Sequence, residues 1–159
     1  MTKTGIGQDS HAFIDNKNDK KPLILGGIIF ENARGLKGNS DADVVLHSLT
    51  NAISSITGNN ILGSRADNLC QQGITDSAEY LKLALQDLGA WRINHIAIAI
   101  ECLNPKIAAK INQLKSNIAD LTSLKSSDVG ITATTGEGLS AFGKGEGIQV
   151  FSIVSAYYE

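Results

Sequence analysis

Apolar side chains alternate with polar or small ones in several short segments, and this alternation predicts β-strands. Thr2 to Ile6 and Ile93 to Glu101 are two such segments, and Asp128 to Thr134 is a third. Ile148 to Tyr158 closes the chain as a strand that is apolar on both faces. A strand of that kind is expected deep in a sheet or in an oligomer interface.

The segment from Pro22 to Phe30 is rich in Leu and Ile but is interrupted by Gly26 and Gly27. It predicts two strand pieces, bulged or broken at the glycine pair, that form a hairpin with the N-terminal strand. Polar residues from Asp15 to Lys21 predict a solvated loop. Asn59 to Thr75 is polar without a regular period, so it predicts a mobile loop that can act as a lid.

Helical spacing is found in three other segments. Asp41 to Thr57 carries an apolar stripe and is followed by Gly58, a residue type that often ends helices. A second helix is predicted after Asp76, with Gly89 at its end. A third is predicted from Asn104-Pro105, since Asn caps helices and Pro favours the first helical position. Its apolar stripe is Ile107, Ile111, Leu114, Ile118 and Leu121.

This order of elements, β-β-α-α-β-α-β-β, lacks the regular alternation of parallel α/β folds. It predicts an α/β fold that is a single-domain sandwich, in which a mixed β-sheet has helices packed on one side. A chain of 159 residues with 42% hydrophobic content is long enough for one well-filled core and too short to suggest two. We therefore expect one domain over residues 1–159.

Charge and composition exclude several classes of protein. The net charge is −2 and basic residues form no block, so the basic footprint of a nucleic-acid-binding protein is missing. The first residues contain no apolar signal segment, and the apolar runs fall far short of the ~18 residues needed to span a membrane. Cys70 and Cys102 give neither a disulfide framework nor paired metal spacing. We expect a cytoplasmic protein that binds neither nucleic acid nor membrane.

Two of the three histidines lie in short polar motifs that indicate a metal site. Asp9 and His11 are two residues apart, so in a strand both side chains leave the same face. Ser40 is predicted to cap the next helix with Asp43 as its capping-box carboxylate, which places His47 one turn into that helix. Asp43 shares a face with His47 and is either a ligand or an orienting residue. An Asp/His/His set is typical of catalytic zinc, whereas a turn-capping His11 and a core His47 are the structural alternative.

A glycine-rich segment from Thr134 to Gly147 precedes the last strand. It contains most of a nucleotide-binding P-loop pattern, but Gly145 replaces the magnesium-binding Ser or Thr, and a strand rather than a helix follows. Bare backbone amides, the Glu137 carboxylate and the Lys144 cation nevertheless suit a metal-complexed diphosphate. Lys106, predicted in the first turn of a helix, is a further candidate for phosphate contact. The simpler interpretation is a turn-forming loop and a solvated lysine.

Together these motifs resemble the 2-C-methyl-D-erythritol 2,4-cyclodiphosphate synthases, the cyclising enzymes of the non-mevalonate isoprenoid route. The likeness runs nearly end to end, and the first and third motifs are quite specific. The matching motifs are Asp9-Ser10-His11-Ala12-Phe13, Leu25-Gly26-Gly27, Ser40-Asp41-Ala42-Asp43-Val44 through His47, Pro105-Lys106, Ala133-Thr134-Thr135 with Glu137, and Gly143-Lys144-Gly145-Glu146-Gly147.

The resemblance implies a homotrimer of α/β subunits in which each active site lies between two neighbours. It implies zinc held by Asp9, His11 and His47, and so favours Asp9 over Asp43 as the carboxylate ligand. It also implies a second divalent ion, magnesium or manganese, that bridges the substrate phosphates through Glu137.

The same resemblance assigns the substrate side of the site. Cys102 to Lys106, with Thr134 and Thr135, would hold the cytidine end, while Asn39 and Ser40 would meet the methylerythritol phosphate. Asn39 and Thr135 take the catalytic positions. The other implied substrate contacts are Asp9, His11, Gly63, Glu137 and Lys144.

The implied reaction is attack of the substrate's 2-phosphate on the β-phosphorus of its own cytidine diphosphate, with release of CMP. Positioning and electrostatic stabilisation would carry the rate, without a covalent enzyme intermediate. Two other functions keep the same metal site. One is a zinc-dependent phosphate-ester hydrolase, and the other is a non-catalytic trimeric zinc-binding relative.

Several positions depart from the family pattern. Asn39 replaces a histidine, and Ile61-Leu62-Gly63 replaces an Asp-Ile-Gly motif. In the glycine-rich segment Gly138 replaces a lysine, Ser140-Ala141 replaces Gly-Phe, and Lys144 replaces an arginine. The last change reduces a bidentate phosphate clamp to a point charge. The isoprenoid-diphosphate site on the family's trimer axis depends partly on the missing Phe and Arg, so it is not predicted for this chain.

Overall fold

A computed structural model describes residues 1–16 and 18–159 of the chain. Lys17, which belongs to the predicted polar loop, lies outside the described residues. The strands are β1 (Thr2–Ala12), β2 (Leu23–Leu25), β3 (Ile28–Phe30), β4 (Trp91–Glu101), β5 (Val129–Thr134) and β6 (Gly147–Tyr158). The helices are α1 (Val44–Thr57), α2 (Ser64–Gln71), α3 (Ser77–Gln86) and α4 (Ile111–Thr122).

Four strands form one mixed sheet in the order β1-β6-β4-β5. β6 is antiparallel to both β1 and β4, while β4 and β5 are parallel. Helix α1 packs on β1 and β6, and α4 packs on β5. The mixed sheet of an α/β fold is therefore confirmed, and the interior place of β6 agrees with the expectation from its two apolar faces.

The close contact between β1 and α1 determines where the site forms. A Cβ atom on Gly7 of β1 would overlap the carbonyl oxygen of Ser48 and the amide nitrogen of Ala52 in α1. Only glycine allows the two backbones to approach this closely. As a result His47, the residue before Ser48, lies beside the C-terminal end of β1.

The opposite face of the sheet is apolar and exposed. Ile6 of β1 is 60% exposed, and Phe151 and Ile153 of β6 are 43% and 42% exposed. Ile6 pairs with Ile153, and Ile153 and Phe151 pair in turn with Ala97 and Ala99 of β4. The apolar surface therefore continues across three strands. Contiguous exposed apolar patches of this kind are typical of interaction surfaces and ligand-binding grooves.

The pair β2 and β3 forms a separate hairpin rather than part of the main sheet. Its turn is Gly26-Gly27, with φ of 58° and 75°, which suits two-residue hairpin turns. The expected hairpin with the N-terminal strand is wrong. This local turn pairs β2 with β3, and β1 pairs with β6 in an unbroken register.

Helix α1 begins at Val44 and is capped by Asp43, so the predicted cap at Ser40 is wrong. The Asp43 carboxylate accepts hydrogen bonds from the N–H groups of Val45 and Leu46 at 3.1 and 3.0 Å. Aspartate is as good a cap as serine, and here it also fits the buried position. His47 stays in the first turn, as predicted.

The segment predicted as a loop from Asn59 to Thr75 contains the helix α2. Only Ala66 is fully buried in this helix, so its apolar period was too weak to indicate a helix. Helix α3, by contrast, has the predicted Asp76 cap and ends a little before Gly89.

Helix α4 begins at Ile111, so the predicted start at Asn104-Pro105 is wrong. A short 3-10 turn at Ala108–Lys110 precedes it. Asn-Pro pairs also initiate turns, and at this position the turn is what forms. Lys106 consequently lies in an irregular segment rather than at a helix N-terminus. None of the helices in the described part of the chain is both long and apolar enough to cross a membrane.

Candidate metal centre and substrate pocket

Asp9, His11 and His47 come together at the end of β1 and the start of α1. Asp9 Oδ2 lies 2.9 Å from His11 Nε2 and 3.1 Å from His47 Nδ1, and the two imidazole nitrogens are 3.3 Å apart. The three potential donor atoms lie within 4.8 Å of one another. The spacing of two residues along a strand thus has the predicted effect, and the cluster fits a divalent metal ion.

The ring of His11 is oriented by the backbone. Its Nδ1 lies 2.7 Å from the carbonyl oxygen of Lys37. A carbonyl oxygen only accepts hydrogen bonds, so in the neutral ring Nδ1 carries the proton and Nε2 keeps a lone pair. That lone pair points towards Asp9 and His47, which is the arrangement a metal ligand needs.

The Asp9 carboxylate and the His11 imidazole shift each other's pKa. Burial alone would raise the pKa of Asp9, but its pairing with the His11 and His47 imidazoles outweighs it and lowers the pKa to about 2. Burial likewise works to lower the pKa of His11, yet its pairing with Asp9 raises that pKa above the usual value. A metal-free site therefore holds an anionic carboxylate that attracts a cation.

Asp43 serves the fold rather than the metal. Its fully buried carboxylate accepts hydrogen bonds from the N–H groups of Gly26 and Gly27, at 2.8 and 2.7 Å, as well as from the first turn of α1. Burial raises the pKa of Asp43 to about 6 against the effect of these donors. The carboxylate faces the β2–β3 turn, so the alternative in which Asp43 orients His47 is not supported.

A cavity of about 310 Å³ opens beside the three metal-binding side chains. Its lining includes the predicted substrate residues Asn39, Ser40 and Gly63, and the wall opposite them comes from α2 and from Tyr80 of α3. Asp67 of α2 also lines it. The sequence therefore identified one side of the cavity and missed the helix on the other.

The glycine-rich segment begins at the end of β5, at the other edge of the sheet, and returns to β1, where the Glu146 carbonyl oxygen accepts a hydrogen bond from the Phe13 N–H at 3.0 Å. Ser10, Gln149, Glu101 and Thr134 are register partners in one row across β1, β6, β4 and β5. Three strand spacings of about 4.8 Å separate its two ends, so roughly 14 Å lies between the β1 and β5 edges. Within one chain, Thr134 and the adjacent Thr135 are therefore not brought to the metal cluster.

The side chains at that edge are mostly open to solvent. Thr134, Glu137, Lys144 and Lys106 are exposed, and Thr135 is half-buried, where its hydroxyl accepts a hydrogen bond from the Glu137 N–H at 3.4 Å. Lys106 Nζ lies 3.3 Å from the carbonyl oxygen of Leu103. Cys102 is buried, and burial raises the pKa of its thiol to about 11, so it stays protonated.

Three polar side chains near the site were not predicted as site residues, although Asp41 lies in the Ser40 to Val44 motif. Ser77 Oγ lies 2.8 Å from His47 Nε2, and Asp41 accepts a hydrogen bond from that same hydroxyl. At the other edge, Glu101 accepts a hydrogen bond from Ser140 in the glycine-rich segment. These contacts join residues 30 or more positions apart, so no local sequence pattern indicates them.

Known proteins match the chain over nearly its whole length. The sequence model of the YgbB family matches residues 2–157. A 2-C-methyl-D-erythritol 2,4-cyclodiphosphate synthase from Chlamydia muridarum is 48% identical over 155 residues, which cover 96% of this chain and 86% of that protein.

Solved structures agree with this match. The bifunctional IspDF from Campylobacter jejuni superposes with a TM-score of 0.89 and 32% identity over 100% of this chain, which spans only 43% of that longer protein. An IspF from Plasmodium falciparum, in complex with CDP, gives a TM-score of 0.82 over 99% of this chain and 97% of its own, and at 22% identity it shows the shared fold. The chain therefore belongs to the YgbB family and is related to the 2-C-methyl-D-erythritol 2,4-cyclodiphosphate synthases that its motifs resemble.

Proposed function

We propose that this chain is a cyclodiphosphate synthase that converts 4-diphosphocytidyl-2-C-methyl-D-erythritol 2-phosphate to 2-C-methyl-D-erythritol 2,4-cyclodiphosphate and CMP. The cluster of Asp9, His11 and His47 carries the proposal, because its donor atoms converge beside a cavity lined by Asn39 and Ser40. The name of the 48%-identical relative supports the same reaction.

The donor set of the cluster fits zinc. Two imidazole nitrogens and one carboxylate oxygen are the usual three protein ligands of a catalytic zinc, whose fourth position stays open. Asp9, His11 and His47 would hold the ion, with Asp9 supplying the negative charge. When bound, the ion supplies Lewis acidity to a phosphoryl oxygen of the substrate.

The reaction forms one phosphorus–oxygen bond and breaks another. An oxygen of the 2-phosphate attacks the β-phosphorus, the bond from that phosphorus to the oxygen bridging it to the α-phosphorus breaks, and the electron pair leaves with CMP. Asn39 would align a phosphate oxygen by hydrogen bonding alone, because its amide carries no charge. Ser40 and Gly63 would bind the methylerythritol part within the cavity, whose walls keep water from the β-phosphorus.

The glycine-rich edge would bind the nucleotide end. Lys106 and the hydroxyls of Thr134 and Thr135 suit the phosphate of the departing CMP, and Lys144 adds a further positive charge. Glu137, exposed on the loop, would hold a magnesium or manganese ion together with the substrate's phosphates. The Cys102 to Lys106 segment, beside the end of β5, would receive the cytosine.

A complete site would need two subunits of a homotrimer. The metal-binding residues lie on the β1 side of the sheet and Thr134 and Thr135 at the end of β5, roughly 14 Å away by strand spacing, so one substrate would meet the metal edge of one chain and the glycine-rich edge of the next. The exposed apolar face around Ile6, Phe151 and Ile153 supplies the surface for association. Light scattering should give three times the mass of one 16.8 kDa chain, and Phe151→Asp should shift it towards the monomer.

The decisive experiment is CMP release from the cytidine substrate with zinc and magnesium, with and without EDTA. Phosphorus NMR should show one cyclic diphosphate for each CMP formed, and EDTA should abolish both. Release of inorganic phosphate would instead identify a hydrolase. Stoichiometric zinc without any product, under any divalent ion, would identify a non-catalytic binding protein.

A further inference from the structure

We propose that Asp41 and Ser77 act as a positioning pair for His47: their hydrogen bonds hold the proton on Nε2 and present Nδ1 to the metal ion. The inference rests on the metal site of the proposed function. Neither residue is a ligand, and neither lies in the converging group of Asp9, His11 and His47.

The direction of each hydrogen bond follows from what each group can donate. A carboxylate only accepts, so the Ser77 hydroxyl donates its single proton to Asp41 Oδ1. Ser77 Oγ, 2.8 Å from His47 Nε2, is then left to accept from that nitrogen. The proton is therefore on Nε2, and Nδ1 keeps its lone pair towards Asp9, 3.1 Å away.

Backbone contacts hold Asp41 in place as the acceptor. Its Oδ2 accepts a hydrogen bond from the Ser77 N–H at 3.0 Å, and its Oδ1 accepts one from the Asp43 N–H at 3.1 Å. Its own N–H donates to the Thr75 carbonyl oxygen at 2.9 Å. Ser77 is fully buried as the first residue of α3, so water does not compete for its hydroxyl.

Ser40 is the other hydroxyl near this nitrogen, and the geometry favours Ser77. Ser40 Oγ lies 3.5 Å from His47 Nε2, at the limit of a hydrogen bond, and already accepts from the Ala42 N–H at 3.1 Å. His11 is oriented in the corresponding way by the Lys37 carbonyl oxygen. Each imidazole is thus oriented by a hydrogen bond from the ring nitrogen that does not face the metal site. Zinc sites commonly have this arrangement, in which the histidine donates its other N–H to the protein.

Zinc affinity tests the inference without reference to catalysis. Competition with a chromophoric chelator should show affinity reduced about 10- to 100-fold in Ser77→Ala, the usual cost of losing such a partner. Ser77→Thr keeps the hydroxyl and should retain most of the affinity. Ser48→Ala is the matched control, since Ser48 is a buried neighbour of His47 whose hydroxyl bonds Ser152 instead. It should bind zinc as the unaltered chain does.

The tautomer of His47 is the second readout. In the metal-free protein at about pH 8, where imidazoles are largely neutral, long-range nitrogen–proton NMR correlations should show His47 with its proton on Nε2. In Asp41→Ala the Ser77 hydroxyl loses its acceptor and is free to donate to Nε2, which places the imidazole proton on Nδ1. A shift to that tautomer, with weaker zinc binding, is expected.

Three results would overturn the inference. They are wild-type affinity in Ser77→Ala, an unchanged tautomer in Asp41→Ala, and an equal loss of zinc in Ser48→Ala, which would indicate general packing damage. Failure of the chain to release CMP would reject the proposed function, while the zinc and NMR results would still decide the role of the pair.

Discussion

The β1 edge and the β5 edge of the sheet are built in different ways. At the β1 edge the side chains of Asp9, His11 and His47 are 24%, 20% and 10% exposed, and their polar atoms are paired with one another or with the surrounding protein. At the β5 edge Glu137 and Lys144 are exposed, and within the described residues their side chains form no hydrogen bond or ion pair. The side chains of the metal edge are therefore held in place by contacts within the same chain.

This difference bears on how a shared site assembles. Fixed tautomers and a closely packed helix give the metal edge its geometry before any substrate arrives, which lowers the cost of ordering on binding. The glycine-rich edge offers backbone amides and the exposed side chains of Glu137 and Lys144, which would be fixed only on contact with the diphosphate and, in the proposed trimer, a neighbouring subunit. Substitutions at the first edge should therefore act on metal content and stability, and those at the second on substrate binding.

The largest effect is expected for His47→Ala. Loss of a direct ligand should exceed the 10- to 100-fold cost of losing an outer partner, so zinc affinity should fall by more than about 100-fold and CMP release should cease. Zinc per chain, measured by mass spectrometry after dialysis, checks this. His95→Ala is the matched control, since His95 is exposed on β4 and lies outside the cluster. Zinc retained in His47→Ala would refute the ligand assignment.

The residues of the metal edge could be predicted from the sequence because the patterns that place them are local. Strand alternation placed Asp9 and His11 on one face, and helical spacing placed His47 one turn into α1. Capping chemistry was ambiguous, since Ser40 and Asp43 are both good caps, and only the burial of the Asp43 carboxylate decides between them.

The rest of the site depends on contacts between distant segments. The α2 wall has one fully buried residue and hence no clear apolar period. Ser77 reaches His47 from 30 positions away, and Asn104-Pro105 carried signals for both a helix start and a turn. The separation of the two edges follows from strand order, which local periodicity does not fix.

The second largest effect concerns stability at the metal edge. Asp43→Ala removes the cap of α1 and leaves the Gly26 and Gly27 N–H groups without their acceptor, so we expect a loss of about 3 kcal/mol in the free energy of unfolding. Urea denaturation of the metal-free protein measures it without a contribution from zinc.

Two other variants provide reference values for the loss of unfolding free energy in Asp43→Ala. Asp76→Ala removes the exposed cap of α3, whose carboxylate bonds only the Ala78 N–H, and should cost about 1 kcal/mol. Ser140→Ala removes the hydroxyl that joins the glycine-rich loop to Glu101 and should cost about 1 kcal/mol or less. If Ser140→Ala lowered the free energy of unfolding as much as Asp43→Ala, the two edges would not differ in their contribution to stability, contrary to this expectation.

Zinc retention should depend on pH at the metal edge. The Asp9 pKa of about 2 keeps that carboxylate ionised throughout the useful range. The raised pKa of His11 means that its proton is retained to higher pH in the metal-free site, and zinc must displace it. Affinity should thus be highest at alkaline pH and fall by up to about tenfold per unit below the His11 pKa. Titrations at several pH values between about 8 and 5 check this, and a flat profile would contradict it.

At the glycine-rich edge, Lys106→Ala should raise KM for the cytidine substrate about tenfold, which corresponds to ~1.4 kcal/mol, a modest value for a hydrogen bond to a charged phosphate. Zinc content should not change, because Lys106 contacts none of the ligands. Lys125→Ala serves as the control, since Lys125 is exposed and precedes the opposite end of β5. Loss of zinc in Lys106→Ala would show that the two edges are coupled.

The smallest effect is expected for Lys144→Arg. A guanidinium binds phosphate through two parallel hydrogen bonds where an ammonium offers a point charge, so the variant should lower KM by about two- to threefold while zinc affinity stays constant. The gain is small because the exposed side chain at position 144 must still be ordered around the ligand, and a longer side chain does not remove that cost. Steady-state kinetics of Lys144→Gln, measured beside Lys144→Arg, separates the effect of charge from that of geometry. The KM should decrease from the glutamine variant to the unaltered chain and again to the arginine variant. If arginine were no better than lysine, the entropy lost in ordering this side chain, and not the shape of its cation, would set substrate affinity at this edge.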